Sequence, residues 1–261
     1  MTSGGKVLRY GARNLLRSWW VPGYAAVFLF LTESLLRFGG GGPRAVASLL
    51  NAVLIVIPLV SVVMGTMFLS GSREFILLLL AQPVSRRSLF TGLYFGVALP
   101  LAGVFLVGVG IPVLARGGAG LGLSGLVFAV TGVLLTFVFT ALAFFAAARF
   151  EDRAKALGVA LLGWFAATVL YDGLVLLVVA MFSEWPLETP MLALTLLNPV
   201  DLARVLLLLT FDVAALMGYT GAVFERFFGS GVGIVTALLA LAAWTAFPFL
   251  AGLRGFSRKD F

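Results

Sequence analysis

Six stretches of nearly uncharged, apolar sequence constrain this chain more than any other feature, at about 22–38, 47–70, 89–115, 121–148, 157–182 and 231–252. A bilayer core ~30 Å thick is crossed by about 20 apolar residues in a helix, which satisfies its own backbone there. Of the 261 residues, 61% are hydrophobic and 11% charged, against about 45–50% and ~25% in soluble domains. No soluble core of this size hides that much apolar surface. The reading is an all-α polytopic membrane protein, one transmembrane domain over residues 1–261 with six transmembrane helices.

Two absences narrow the chemistry. The chain has no His and no Cys. That removes a histidine general base, a thiol nucleophile, a zinc site and an axial haem histidine. Ser and Asp are scattered without a base, so no serine-protease arrangement is present. No G-x-x-x-x-G-K-[ST] loop occurs, so ATP has no cradle in this chain. The net charge of +7 belongs to the membrane surface, and no nucleic-acid partner is expected.

The first 21 residues read as an elbow rather than a cleaved signal. Lys6, Arg9, Arg13 and Arg17 share one helical face, and Leu8, Ala12, Leu15 and Trp19 share another. This is an interfacial amphipathic helix with Trp19 and Trp20 at headgroup depth, and Pro22-Gly23 is expected to turn the chain into the membrane. With the N-terminus inside, segments 1–21, 71–88, 149–156 and 253–261 hold 13 of the 18 Lys and Arg residues. Both termini are therefore expected to be cytoplasmic.

Segment 73–88 is the most informative inner stretch. It reads as an amphipathic helix closed by Gln82-Pro83, because the residue before proline leaves the α region. On its own it fits either an interfacial helix or a docking element. The order of parts adds to this: an elbow, six spans, and Glu74, Leu78, Leu79, Pro83, Val84, Ser85 and Arg86 after the second span. The chain resembles the permeases of type-2 ABC exporters. It resembles more closely the permease subunits of the ABC systems that mature nitrous oxide reductase. That likeness runs from Arg73-Glu-Phe through Asn198-Pro-Val-Asp-Leu202, Asp212, Ala215–Ala222, Trp244 and Pro248 to Arg258-Lys-Asp-Phe261.

The resemblance implies that Arg73, Glu74, Phe75, Leu78, Leu79, Gln82, Pro83, Val84, Ser85, Arg86 and Arg87 form the coupling helix against a separate ATPase. It further implies a second copy of the chain and two cytoplasmic ATPase subunits that carry ATP and Mg. A periplasmic repeat protein and a copper chaperone are the expected outer partners, and the task is building the copper–sulfide centre of the reductase. No cofactor is expected on this chain itself. A permease for another small or lipidic substrate, and a membrane scaffold or non-transporting embedded enzyme, stay open as alternatives.

The outer segment 183–230 is too often interrupted to cross and reads as surface or re-entrant helices. Asn198 is a good N-cap with Pro199 at the first helical position. Asp201, Arg204 and Asp212 share one face expected to meet water, with Leu202, Val205, Leu206 and Leu209 behind. With Asn198 and the aromatic residues Tyr219, Phe224 and Phe227 they are the candidate face for the periplasmic partner, or else a cap over the translocation path. Glu33 and Asp172 fall inside spans and mark either a conduit or paired groups near the outer surface, Glu33 with Arg37 at i,i+4. Met64 and Met67, at i,i+3, are either packing or thioether ligands for Cu(I). Gly92 and Gly96 offer a small-residue surface for helix contact, here assigned to the dimer. So few polar residues line the spans that a large hydrophilic cargo does not fit.

Overall fold

Apolar runs without water must close their own hydrogen bonds, and among the described residues every regular element is helical. The structure, a computed structural model, describes residues 3–38, 43–82, 84–115, 122–182, 188–211 and 231–258. Helix α1 (Ser3–Leu16) meets α2 (Trp20–Phe38) at a bend of 65°. The turn lies at residues 17–19 rather than at Pro22-Gly23. Pro22 sits in the first turn of α2, where its missing N–H has no helical partner to lose. Next come α3 (Pro43–Gly71), the short α4 (Arg73–Leu80), α5 (Arg86–Ala115) and α6 (Gly122–Arg149).

A continuous helix then runs from Arg153 to Met181: α7 (Arg153–Phe165), a π-helical turn (Ala166–Leu170) and α8 (Tyr171–Met181). Helices α9 (Glu188–Leu197) and α10 (Pro199–Thr210) form a hairpin bent by 114°, and α11 (Gly231–Arg258) closes the bundle. Among the described residues, five helices are long and apolar enough to span, or up to seven if each bent pair counts as one crossing.

Helix α6 is the centre. Thr131, Leu135, Val138, Phe139 and Phe144 are fully buried on it, and α3, α5, α7, α10 and α11 all pack against it. Two bonds gather helix ends at one side of the bundle. Arg73 donates to the Phe150 carbonyl at 3.3 Å, and Arg86 to the Ser257 carbonyl at 3.1 Å. This is the basic end. The α7–α8 span is the opposite case, with none of its most apolar window buried.

Gly96 serves the interior of the protomer. It faces Gly11 of α1, and a Cβ on Gly96 would stand 3.2 Å from both the Gly11 Cα and the Leu8 carbonyl oxygen. The elbow helix rests on α5 by backbone-to-backbone contact, and Val7, Gly11 and Leu15 form its buried stripe. The small-residue surface read as a dimer contact is thus consumed at Gly96 by the elbow. Replacing Gly96 by Val should lift α1 from α5 at about 1–3 kcal/mol, the usual cost of overpacking. Gly103, with open space around its Cα, is the control. A detergent-solubilised melting curve lowered by Gly96→Val and unmoved by Gly103→Val is the expected result.

Candidate functional site

Helix α4 begins one residue after α3 ends, and its side chains divide by face. Ile76 is 1% exposed. Phe75 stacks on Tyr10 of the elbow at 4.2 Å between ring centroids, and Leu79 and Leu80 are packed against the core. Glu74, Leu77, Leu78 and Ala81, at i, i+3, i+4 and i+7, face outward. Leu78 is 69% exposed and Leu77 48%. The result is an exposed apolar stripe at the basic end, held on a helix pinned by Arg73 and Tyr10.

The rest of the predicted coupling set supports that stripe. Val84 packs against the core, and its N–H donates to the Gln82 carbonyl at 2.7 Å. Ser85 caps α5 by accepting from the Ser88 N–H at 3.2 Å. Arg86 ties the start of α5 to the end of α11, and Gln82 and Arg87 are exposed. Pro83 lies outside the described residues. Of the predicted coupling residues Leu78 and Leu79, Leu78 is exposed and Leu79 turns inward, so the outer pair is Leu77–Leu78. Spacing from Glu74 carries that signal.

A second constellation surrounds the break between α9 and α10. The Asn198 side chain is 2% exposed. Its Oδ1 accepts from the Val200 N–H at 3.0 Å, capping α10, while its Nδ2 donates to the Ala167 carbonyl at 2.7 Å in the π-helical turn. Tyr171 donates its hydroxyl to the Leu194 carbonyl at 2.6 Å, and Trp244 Nε1–H to the Leu196 carbonyl at 3.0 Å. The last carbonyls of α9 would otherwise be orphans. Ala167 stands 14 residues from each end of the Arg153–Met181 helix, about 21 Å at 1.5 Å per residue. Trp244 is similarly central in α11. The break therefore reaches the middle of the bundle, where exposed backbone is tolerated only if protein satisfies it.

Asp172, Arg204 and Asp201 form an ionic triad beside this break. Arg204 Nη1 lies 2.9 Å from Asp172 and 2.8 Å from Asp201. These charges were expected to meet water from a helix lying along the surface. Instead Leu202, Val205 and Leu206 are buried, α10 packs on α3, α6 and α11, and Arg204 is drawn onto α8. The cause is Asp172, a carboxylate within a span, which takes the nearest guanidinium. Asn198, Asp201 and Arg204 thus belong to a partly exposed junction between α8, α9 and α10. Asp212, Tyr219, Phe224 and Phe227, the remainder of the predicted outer face, lie outside the described residues. Nothing in the spacing around Asn198 points to Ala167, 31 residues earlier, as its partner.

Glu33 pairs with Arg37 at 2.6 Å, as their i,i+4 spacing suggests. Met64 and Met67 line a cavity of about 430 Å³ with Asn14, Arg17, Trp20 and Arg153. Two arginines beside two thioethers disfavour a metal cation. No group of three or more His, Cys, Asp or Glu suited to a metal occurs among the described residues.

This architecture has relatives. The profile of the ABC-2 family transporter protein matches residues 11–261. The chain belongs to the ABC-2 family of transporter proteins. A Pseudomonas aeruginosa protein named "Probable ABC transporter permease protein NosY" is 32% identical over 249 residues, 88% of each chain. A Stutzerimonas stutzeri protein of the same name is 28% identical over 265 residues, 94% of each. The chain is thus a multi-pass inner-membrane permease, a non-catalytic transmembrane subunit of the kind that associates with ATPase subunits.

The junction gives two expectations for the permease. Asn198→Ala loses both the cap and the bond to Ala167 and should cost about 2 kcal/mol. Arg204→Ala leaves Asp172 and Asp201 facing each other and should cost about 1–3 kcal/mol, below a fully buried pair because the triad is partly exposed. Adding Asp172→Asn and Asp201→Asn to Arg204→Ala should restore most of the loss, read by thermal melting in detergent.

Proposed function

We propose that this chain is the permease of an ABC complex that couples ATP hydrolysis to periplasmic maturation of the copper–sulfide centre of nitrous oxide reductase. Two copies carry two cytoplasmic ATPase subunits, which hold ATP and Mg. A periplasmic repeat protein and a copper chaperone are the outer partners. The observation that carries the coupling half of this reading is the exposed Leu77–Leu78 face of α4. The reductase half rests on the resemblance from Arg73 to the C-terminus and on similarity to two proteins named NosY.

The basic end faces the cytoplasm, since 13 of 18 basic residues fall in the segments at that side. Force on α4 then enters the bundle by three routes: through α3, through Tyr10 to the elbow, and through Arg73 to the end of α6. Helices α3 and α6 both pack on α10, which places the hairpin at the far end of the same chain of contacts. What crosses, whether a sulfur species, copper or force alone, is left to the outer partners.

Burying two leucines stabilises an interface by about 3–6 kcal/mol. Leu77→Asp with Leu78→Asp should therefore weaken ATPase binding at least about a hundredfold while leaving the permease inserted. Leu79→Asp should instead lower stability, because Leu79 faces inward. Co-purification of the ATPase, and the copper content of reductase matured in cells carrying each variant, measure both halves. Unchanged ATPase binding rules out the docking face. ATPase loss with fully loaded reductase rules out the reductase role alone.

A further inference from the structure

A cavity of about 430 Å³ opens at the basic end between α5 and α11, lined by Arg87, Leu250, Leu253, Arg254, Ser257 and Arg258. Its size is within the range of small-ligand pockets, about 300–1,000 Å³. Three guanidinium groups meet there with no carboxylate in the lining, and none of the three is ion-paired among the described residues. The Ser257 hydroxyl is buried and has no hydrogen-bond partner among those residues.

The walls are fixed. Arg86 holds the Ser257 carbonyl, and Phe256 packs on Phe90 at 5.3 Å between centroids. Gly252 lets α11 close on Phe90 and on the backbone of Phe145.

One face of α11 leads away from this cavity into the apolar zone. Phe247, Leu250, Arg254 and Arg258 follow at spacings of 3, 4 and 4, so they form a single stripe along the helix. Phe247 is 74% exposed and Leu250 48%. Cations at the polar end of an apolar track are the arrangement that receives a phosphate with an acyl chain below it.

We propose that this cavity binds an anionic phospholipid. The phosphate sits among Arg87, Arg254 and Arg258, with Ser257 as a further donor, and an acyl chain lies along Leu250 and Phe247. Guanidinium forks match phosphate oxygens in geometry and charge. Basic pockets between membrane helices on the cytoplasmic side favour such headgroups. A docked ATPase carboxylate is the competing occupant, but the exposed apolar track continuing from the arginines favours lipid.

The test is native mass spectrometry of the full-length protein from nanodiscs of phosphatidylglycerol, cardiolipin or phosphatidylcholine, with glycerol phosphate as the free-headgroup probe. A retained phosphatidylglycerol or cardiolipin adduct is expected, with phosphatidylcholine and glycerol phosphate bound far less. Arg254→Gln with Arg258→Gln should lower adduct affinity about thirtyfold, at about 1 kcal/mol for each basic residue near a membrane. Arg254→Lys with Arg258→Lys should keep most of it, which separates loss of the site from loss of fold. Arg9→Gln with Arg13→Gln, the same charge loss on the elbow, should leave the adduct intact. Equal binding of phosphatidylcholine, equal binding of glycerol phosphate, or an unchanged adduct in the Gln variant overturns the proposal. Loss of the ATPase without loss of the lipid also overturns it and assigns the arginines to the protein partner.

Discussion

Backbone hydrogen bonding at membrane depth governs this molecule. A continuous helix meets that demand alone, and the long spans do so with little help. The hairpin α9–α10 cannot, because the chain reverses at Asn198 midway along the bundle. Three of the groups freed there are met by side chains: the Leu194 carbonyl takes Tyr171, the Leu196 carbonyl takes Trp244, and the Val200 N–H takes Asn198. Asn198 also reaches Ala167 in the π-helical turn. Such turns depart from the i→i−4 ladder and are frequent at functional positions. The break in one element is thus stabilised by the irregularity in another, and α8, the hairpin and α11 form one mechanical unit.

The same economy shapes the arginines. Arg73 and Arg86 each cap a carbonyl at the end of another helix, which braces the basic end. Arg204 bridges two carboxylates beside the hairpin. Isolated charge is expensive there, and the triad spreads one guanidinium over two acids. At the basic end α4 is held on its inner face by Tyr10 and Ile76 and exposed on the Leu77–Leu78 face.

The coupling proposed above would rest on the rigidity of the bundle. Packed helices move as bodies and have discrete arrangements. Helix α6 packs on both α3 and α11 and so joins the two sides of the bundle. The outward faces of α7, α8 and α11 carry large exposed apolar residues suited to lipid or to another copy of the chain.

Much of the fold is legible in the sequence, because length and hydropathy are properties of a single segment. The six apolar windows, the elbow's basic face, the Asn198 cap and the Glu33–Arg37 pair all follow from spacing within one helix. Tertiary structure decided whatever depends on two segments meeting. It turned Leu79 inward and Leu77 outward, because Tyr10 and the core claim one side of α4. It spent Gly96 on the elbow. It drew Arg204 onto Asp172, 32 residues earlier, and made the charged face of α10 part of a partly exposed junction. Periodicity tells which residues share a face, but the partner across the gap determines which face is covered, and that partner is set by packing, not by the local sequence.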